Sequence, residues 1–211
     1  MNFKKIICCL FLLGILSKGY AYPRKYLLEK IDETNQRYKT FLIALELCEK
    51  RNCRTLVETG TARSGDTNFK GDGGSTLIFG AWAKDHGAKL YSVDIDSQAL
   101  ERAYHAAGQA SEAIVFAHSD SIEFLENFDG PIDFLYLDSY DFKKNNPLPS
   151  QFHHLREIQS AYPHLHDESI VMIDDCDLPH GGKGKFVIEY LKERGWTIFF
   201  SGYQIIMVRQ K

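Results

Sequence analysis

Apolar residues recur near helical spacing over residues 24–50, at Leu27, Ile31, Tyr38, Leu42 and Leu45 with charges between them, which predicts a helix. Beyond it the chain alternates between short apolar runs and amphipathic stretches. Thr55–Gly60 is a strand ending in glycine, followed by a Gly-rich stretch from Thr61 to Gly74 and a helix capped by Ser75 that runs to His86. Strands are predicted at Lys89–Ile95, Ala113–His118, Ile132–Leu137 and Ser169–Ile173. Helices are predicted at Ser97–Gln109, Ser121–Phe128, Pro149–Leu165 and Lys183–Arg194. Two further strands, Trp196–Phe200 and Gln204–Val208, close the chain, joined too tightly for a crossover helix and hence antiparallel.

This alternation predicts an α/β fold, a Rossmann-like, doubly wound, mostly parallel seven-stranded sheet with an antiparallel C-terminal strand. Runs such as Phe134-Leu135-Tyr136-Leu137 and Ile170-Val171-Met172-Ile173 suit strands buried on both faces. The 211 residues are enough for one domain.

The first residues have a different pattern. Lys4 and Lys5 precede an apolar run, Ile6 to Leu16, and Gly19-Tyr20-Ala21 supplies small residues at the cleavage positions. Residues 1–21 therefore read as a signal peptide, with 22–211 a single domain made of an N-terminal helix (22–50) and a core (51–211). The implied location is periplasmic or secreted, with an uncleaved membrane anchor as the alternative. Removing three lysines leaves 22 basic against 28 acidic residues, a net charge of −6. That argues against nucleic acid as a partner, allows membrane contact only through an uncleaved N-terminal segment, and leaves a homo-oligomer open. Cys48, Cys53 and Cys176 show neither a disulfide framework nor zinc spacing; Cys48 and Cys53 can be bridged or simply packed.

In an open parallel sheet, ligands bind beyond the carboxyl ends of the strands, and here each inner strand ends in an acid or a glycine turn. The first gives Glu58-Thr59-Gly60-Thr61 and later Gly73-Gly74-Ser75; the second gives Asp94, the third Asp120, the fourth Asp138 and the fifth Asp174-Asp175. Gly60 allows close backbone approach, Asp94 can accept from ribose hydroxyls, and Asp120 can accept from an adenine amino group. The turn is a poor G-x-G-x-x-G and there is no Gly-Lys-Ser/Thr loop, so a ligand with ribose and adenine but no phosphate fits best. The expected cofactor contacts are Glu58, Gly60, Thr61, Ser75, Asp94, Asp120 and Asp138. Asp138, Asp174 and Asp175 end neighbouring strands, and oxygen-only donors favour a divalent ion such as Mg²⁺; capping and solvating a loop is the other use of such acids.

These residues resemble class I S-adenosylmethionine-dependent methyltransferases over roughly residues 50–211, and within them the metal-dependent macrocin-type O-methyltransferases. The matching features are Glu58-x-Gly60, Gly73-Gly74-Ser75, Asp138, Tyr162-Pro163-His164-Leu165, Asp174-Asp175 and the basic Gly182-Lys183-Gly184-Lys185. The resemblance implies S-adenosylmethionine and a divalent metal, expected to be Mg, as cofactors, and O-methylation of a sugar or small hydroxylated molecule. A hydroxylase-related enzyme and a non-catalytic exported binding module are the rival functions for the same fold. Two features depart from the family: an insertion, Ala62 to Asp72, that reshapes the pocket mouth or acts as a lid, and Tyr140 where the family often has Asp, two positions after Asp138. The general base is therefore open between Asp141, Tyr140 and His153, while Lys183 or Lys185 can stabilise a developing alkoxide. Asp141, Tyr140 and Lys185 are the catalytic candidates.

Overall fold

The computed structural model describes residues 23–209, so the expected leader at 1–21 lies outside the described residues. Helix α1 spans Tyr38–Lys50, strand β1 Thr55–Thr59, the one-turn helix α2 Phe69–Asp72, α3 Ser75–His86 and β2 Lys89–Asp94. Next come α4 (Ser97–Ala107), β3 (Ile114–His118), α5 (Ser121–Glu126), β4 (Ile132–Leu137) and α6 (Leu148–Ala161). Then follow β5 (Leu165–Ile173), α7 (Lys185–Lys192), β6 (Trp196–Ser201) and β7 (Ile205–Arg209). Among the described residues no helix is long and apolar enough to cross a membrane.

The strands form one sheet in the order β3-β2-β1-β4-β5-β7-β6. β1 to β5 are parallel, and β7 runs antiparallel between β5 and β6, as the tight final connection requires. Alternation along each strand divides the core. Leu56, Phe134, Tyr136, Ile170 and Met172 face the layer of α1 and α3, where Phe41, Phe79 and Trp82 pack on them. Val57, Leu135, Leu137, Val171 and Ile173 face α5, α6 and α7 through Leu125, Ile158, Val187 and Leu191. Each large apolar side chain so buried contributes about 1.5–3 kcal/mol.

β1 lies beside β2 on one side and β4 on the other, so the strand order reverses at β1 and opens a crevice at the carboxyl edge. Backbone hydrogen bonds carry the ladder one residue past the strand ends: Gly60 to Val93 at 2.8 Å, Asp138 to Thr59 at 3.0 Å, Asp174 to Leu137 at 3.1 Å and Ser119 to Asp94 at 3.1 Å. Gly60, Asp94, Asp138 and Asp174 therefore stand in one row along that edge.

Three local expectations are corrected. The single helix over 24–50 is broken: a 3-10 turn covers Pro23–Tyr26 and α1 starts only at Tyr38. Between them Asp32 accepts from the Thr34 amide (2.8 Å) and Asn35 from the Arg37 amide (2.9 Å), side-chain bonds that compete with a helical ladder, and Glu29 has a positive φ of 64°. Ser75 does not cap α3; the cap position belongs to Gly74 in a left-handed conformation. The helix expected from Lys183 starts at Lys185, which leaves Lys183 on the loop.

Candidate functional site

Two adjoining cavities of about 190 and 110 Å³ lie along the strand ends and share Gly60, Asp94 and Ser139. Gly60 adopts φ 84°, and a Cβ there would lie 2.6 Å from the Asp138 carbonyl oxygen, so only glycine lets the turn pass β4. Asp94 accepts from the Thr61 amide (3.0 Å) through Oδ2 and from the Asp96 amide (2.9 Å) through Oδ1, and it lines both cavities. Thr61 and Ser75 line the larger one, Ser75 at the start of α3. Asp120 lines the smaller, while its Oδ1 caps α5 by accepting from the Ile122 and Glu123 amides.

Glu58 stands elsewhere. It is fully buried and lines neither cavity. Its Oε1 accepts from Ser92 Oγ (2.6 Å) and from Thr76 Oγ1, whose own oxygen takes the Ala62 amide (2.8 Å). Burial pushes its carboxyl up to about 7 despite those hydrogen bonds. Glu58 thus braces the turn after β1 from below and lines neither cavity, while its Oε2 is buried without a hydrogen-bond partner.

The carboxylates of Asp138, Asp174 and Asp175 converge, with one oxygen from each lying within 4.8 Å of the others. Oxygen donors of this kind suit a hard divalent ion, yet each acid already carries a cation. Lys183 Nζ lies 2.6 Å from Asp138 Oδ1 and 3.3 Å from Asp175 Oδ2. Arg37 donates to both oxygens of Asp174, with Nη2 at 2.8 Å and Nε at 3.2 Å from the nearest. Tyr203 and Tyr136 hydroxyls donate to Asp175 and Asp138. The residues as arranged do not fit a divalent ion between Asp138 and Asp175, because an ammonium takes that place.

The electrostatics follow. Burial and the neighbouring Asp174 push Asp138 well above the carboxylate range, against the pull of Lys183. Burial also pushes Asp174 up, but Arg37 outweighs it and holds the carboxyl low. Burial alone would lower Lys183, and the three carboxylates more than restore it, so it stays charged.

Of the catalytic candidates, Asp141 forms a two-pronged ion pair with Arg63 (2.8 and 3.1 Å), which holds its carboxyl low and makes it a weak base. Tyr140 lines the smaller cavity beside His153, their ring centroids 5.4 Å apart, and does not line the larger one. Lys185 is exposed, with its ammonium over the Phe186 ring, outside both cavities; the lysine in the cleft is Lys183. His154 is fully buried and accordingly pushed down to about 4, which removes it as a base near neutrality.

Arg37 and Arg63 also line the larger cavity, and no motif in the sequence marks either of them. Arg37 lies 137 residues from Asp174, and nothing in its local pattern announces the pairing. The insertion, read as a possible lid, is tied across the cleft at both ends: Arg63 holds Asp141, and the Gly71 carbonyl accepts from Arg37 Nη1 at 3.0 Å. Cys48 and Cys53 are free, buried thiols.

A sheet of this order, with its cleft where the strand order reverses and acids following the inner strands, is the class I methyltransferase fold. The sequence model of the family described as "Methyltransferase domain" matches residues 70–176, half of the chain, and the chain belongs to that family. It is an S-adenosylmethionine-dependent methyltransferase. No curated protein matches it in sequence. Among solved structures it resembles the SAH-bound methyltransferase PaMTH1 of Podospora anserina, with TM-score 0.59, 12% identity and 93% of this chain covering 88% of that one. An rRNA methylase from Streptococcus thermophilus gives 0.56, with 12% identity over 86% of this chain and 100% of the other. The MycE methyltransferase of mycinamycin biosynthesis, in complex with Mg, SAH and mycinamycin VI, gives 0.61, with 14% identity over 89% and 52%.

Proposed function

We propose that the protein transfers a methyl group from S-adenosylmethionine to a hydroxyl of a sugar or other small molecule. The observation that carries this is the pair of joined cavities, with Asp120 on one side, the Lys183–Asp138–Asp175 cluster on the other, and Gly60, Asp94 and Ser139 between. The smaller cavity takes adenosine: Asp94 for the ribose hydroxyls, Asp120 for the adenine amine and Tyr140 and His153 as its walls. The larger takes the methionyl part and the acceptor.

In the transfer, the acceptor oxygen bonds to the methyl carbon as the carbon–sulfur bond breaks. The bonding pair stays on sulfur, giving S-adenosylhomocysteine. The hydroxyl proton passes to Asp138, whose proton affinity burial raises. Alignment of oxygen, carbon and sulfur supplies much of the rate. Seven aspartates line the larger cavity against Arg37, Arg63 and Lys183, an electrostatic surface that favours an uncharged hydroxylated acceptor over a polyanion such as RNA.

A second reading, favoured by the convergence of the three acids and by the Mg in the MycE complex, is that Asp138, Asp174 and Asp175 would hold a divalent ion if Lys183 were displaced, and that the ion would then supply Lewis acidity toward the acceptor hydroxyl. Calorimetry with S-adenosylhomocysteine tests the cofactor site, and methyl transfer to a panel of glycans and catechols tests the acceptor class. No binding would reject the enzyme reading in favour of a binding module. Export is proposed from residues 1–21, and a mature N-terminus at Tyr22, read by mass spectrometry from the native host, is the result expected.

A further inference from the structure

We infer that Lys183 is the resident cation of the carboxylate cluster, its ammonium standing between the acids that would otherwise hold a divalent ion, so that this protein binds its acceptor without a metal. The inference rests on the reading of the cleft as the methyl-transfer site.

Three carboxylates at this depth repel unless cations balance them. Arg37 neutralises Asp174, and Lys183 is shared by Asp138 and Asp175. With all three acids ionised the cluster carries one net negative charge, and every member is bonded. Adding a divalent ion beside the ammonium would set two cations against each other at contact distance, so metal entry requires Lys183 to leave.

Leaving is opposed by how its loop is built. Lys183 is 1% exposed. The chain enters it through Gly182 at φ 55°, where a Cβ would lie 1.7 Å from the Asp175 carbonyl oxygen, so backbone is pressed against backbone. The Lys183 amide donates to that same carbonyl at 3.2 Å. Gln151, itself 1% exposed, donates from α6 to the carbonyls of His180 (2.9 Å) and Gly182 (3.0 Å). On the far side, Gly184 packs so that a Cβ would meet Cys176 Sγ at 2.5 Å. Asp175 adopts the left-handed region at φ 54°, which a non-glycine residue holds only when its surroundings demand it. Clamped before and after, Lys183 is delivered to the acids by backbone geometry. A long side chain on a free surface loop would have no such support.

The chemical consequence concerns the acceptor. A primary ammonium donates hydrogen bonds and stabilises an alkoxide, but cannot chelate two vicinal oxygens as a metal does. The acceptor class narrows to molecules presenting one hydroxyl to Asp138 and Lys183, and catechol-like chelation is not required.

The test uses the full chain, stripped with chelator. Free Mn²⁺ is followed by electron paramagnetic resonance while it is titrated into wild type, Lys183→Met and Lys183→Arg, each with and without S-adenosylhomocysteine. Wild type and Lys183→Arg should bind no Mn²⁺ below about 0.1 mM, the range of weak oxygen-donor sites. Lys183→Met, with the ammonium gone and the acids intact, should gain a site at least about tenfold tighter, and its melting temperature should rise with Mg²⁺ while that of wild type does not move. Tight Mn²⁺ binding by wild type that is lost in Asp175→Asn would overturn the inference, as would a folded Lys183→Met with no gain. If Lys183→Met does not fold, wild type and Lys183→Arg decide the matter. Failure to bind S-adenosylhomocysteine would instead strike the methyl-transfer reading, and the Mn²⁺ arms report independently of it.

Discussion

The turn at Gly60 passes so close to Asp138 that a Cβ on Gly60 would lie 2.6 Å from the Asp138 carbonyl oxygen. This contact locks the cofactor turn after β1 to the acid that ends β4. Gly60→Ala combines that clash with a φ of 84°, so it should destabilise the fold by at least about 2 kcal/mol. Urea unfolding measures this, and calorimetry should show S-adenosylmethionine binding lost. A variant with wild-type stability and affinity would mean that the turn is not rigid.

Asp94 touches both cavities and holds the Thr61 and Asp96 amides. Asp94→Ala should weaken S-adenosylmethionine by about 1.5–3 kcal/mol, the range for hydrogen bonds to a charged group. Unchanged affinity in a folded variant places the ribose elsewhere.

Glu58 predicts a pH dependence. Its carboxyl is raised from 4.5 to about 7 by burial, so the folded state prefers it protonated. That preference stabilises fully below pH 4.5 and is lost as pH rises to about 7, for a total of about 3 kcal/mol. Glu58→Gln keeps an acceptor for Ser92 and Thr76 and cannot ionise. Between pH 4.5 and 7 the wild type should therefore lose stability relative to Glu58→Gln, read from paired urea midpoints. Parallel pH profiles would show that Glu58 titrates normally.

Arg37 and Asp174 form a buried pair, their side chains 8% and 1% exposed. Arg37→Ala strands the carboxylate and should cost about 3–5 kcal/mol. Adding Asp174→Asn should recover part of that loss, because an amide is cheaper to bury unpaired than a charge. A loss below about 1 kcal/mol would mean that water reaches Asp174 freely.

Much of the architecture was legible along the chain, because strand and helix periods are local. The runs Ile132–Leu137 and Ser75–His86 end where expected, and parallel sheets place ligands at the strand ends, so the acids Asp94, Asp120, Asp138, Asp174 and Asp175 were found by counting strands. The break before α1 was not legible, since the side chains of Asp32 and Asn35 decide it against an apolar pattern that continues through it. The sequence by itself determined which residues arrive at the carboxyl edge. Only the tertiary structure decided what each does there. Glu58 went beneath the loop because Ser92 and Thr76 hold it from neighbouring elements. Arg37 reached Asp174 across 137 residues, and Lys183, two positions from the exposed Lys185, entered the cleft because its backbone is pinned to Asp175. Charge pairing acts through space over a few ångströms, and no local spacing in the sequence encodes it.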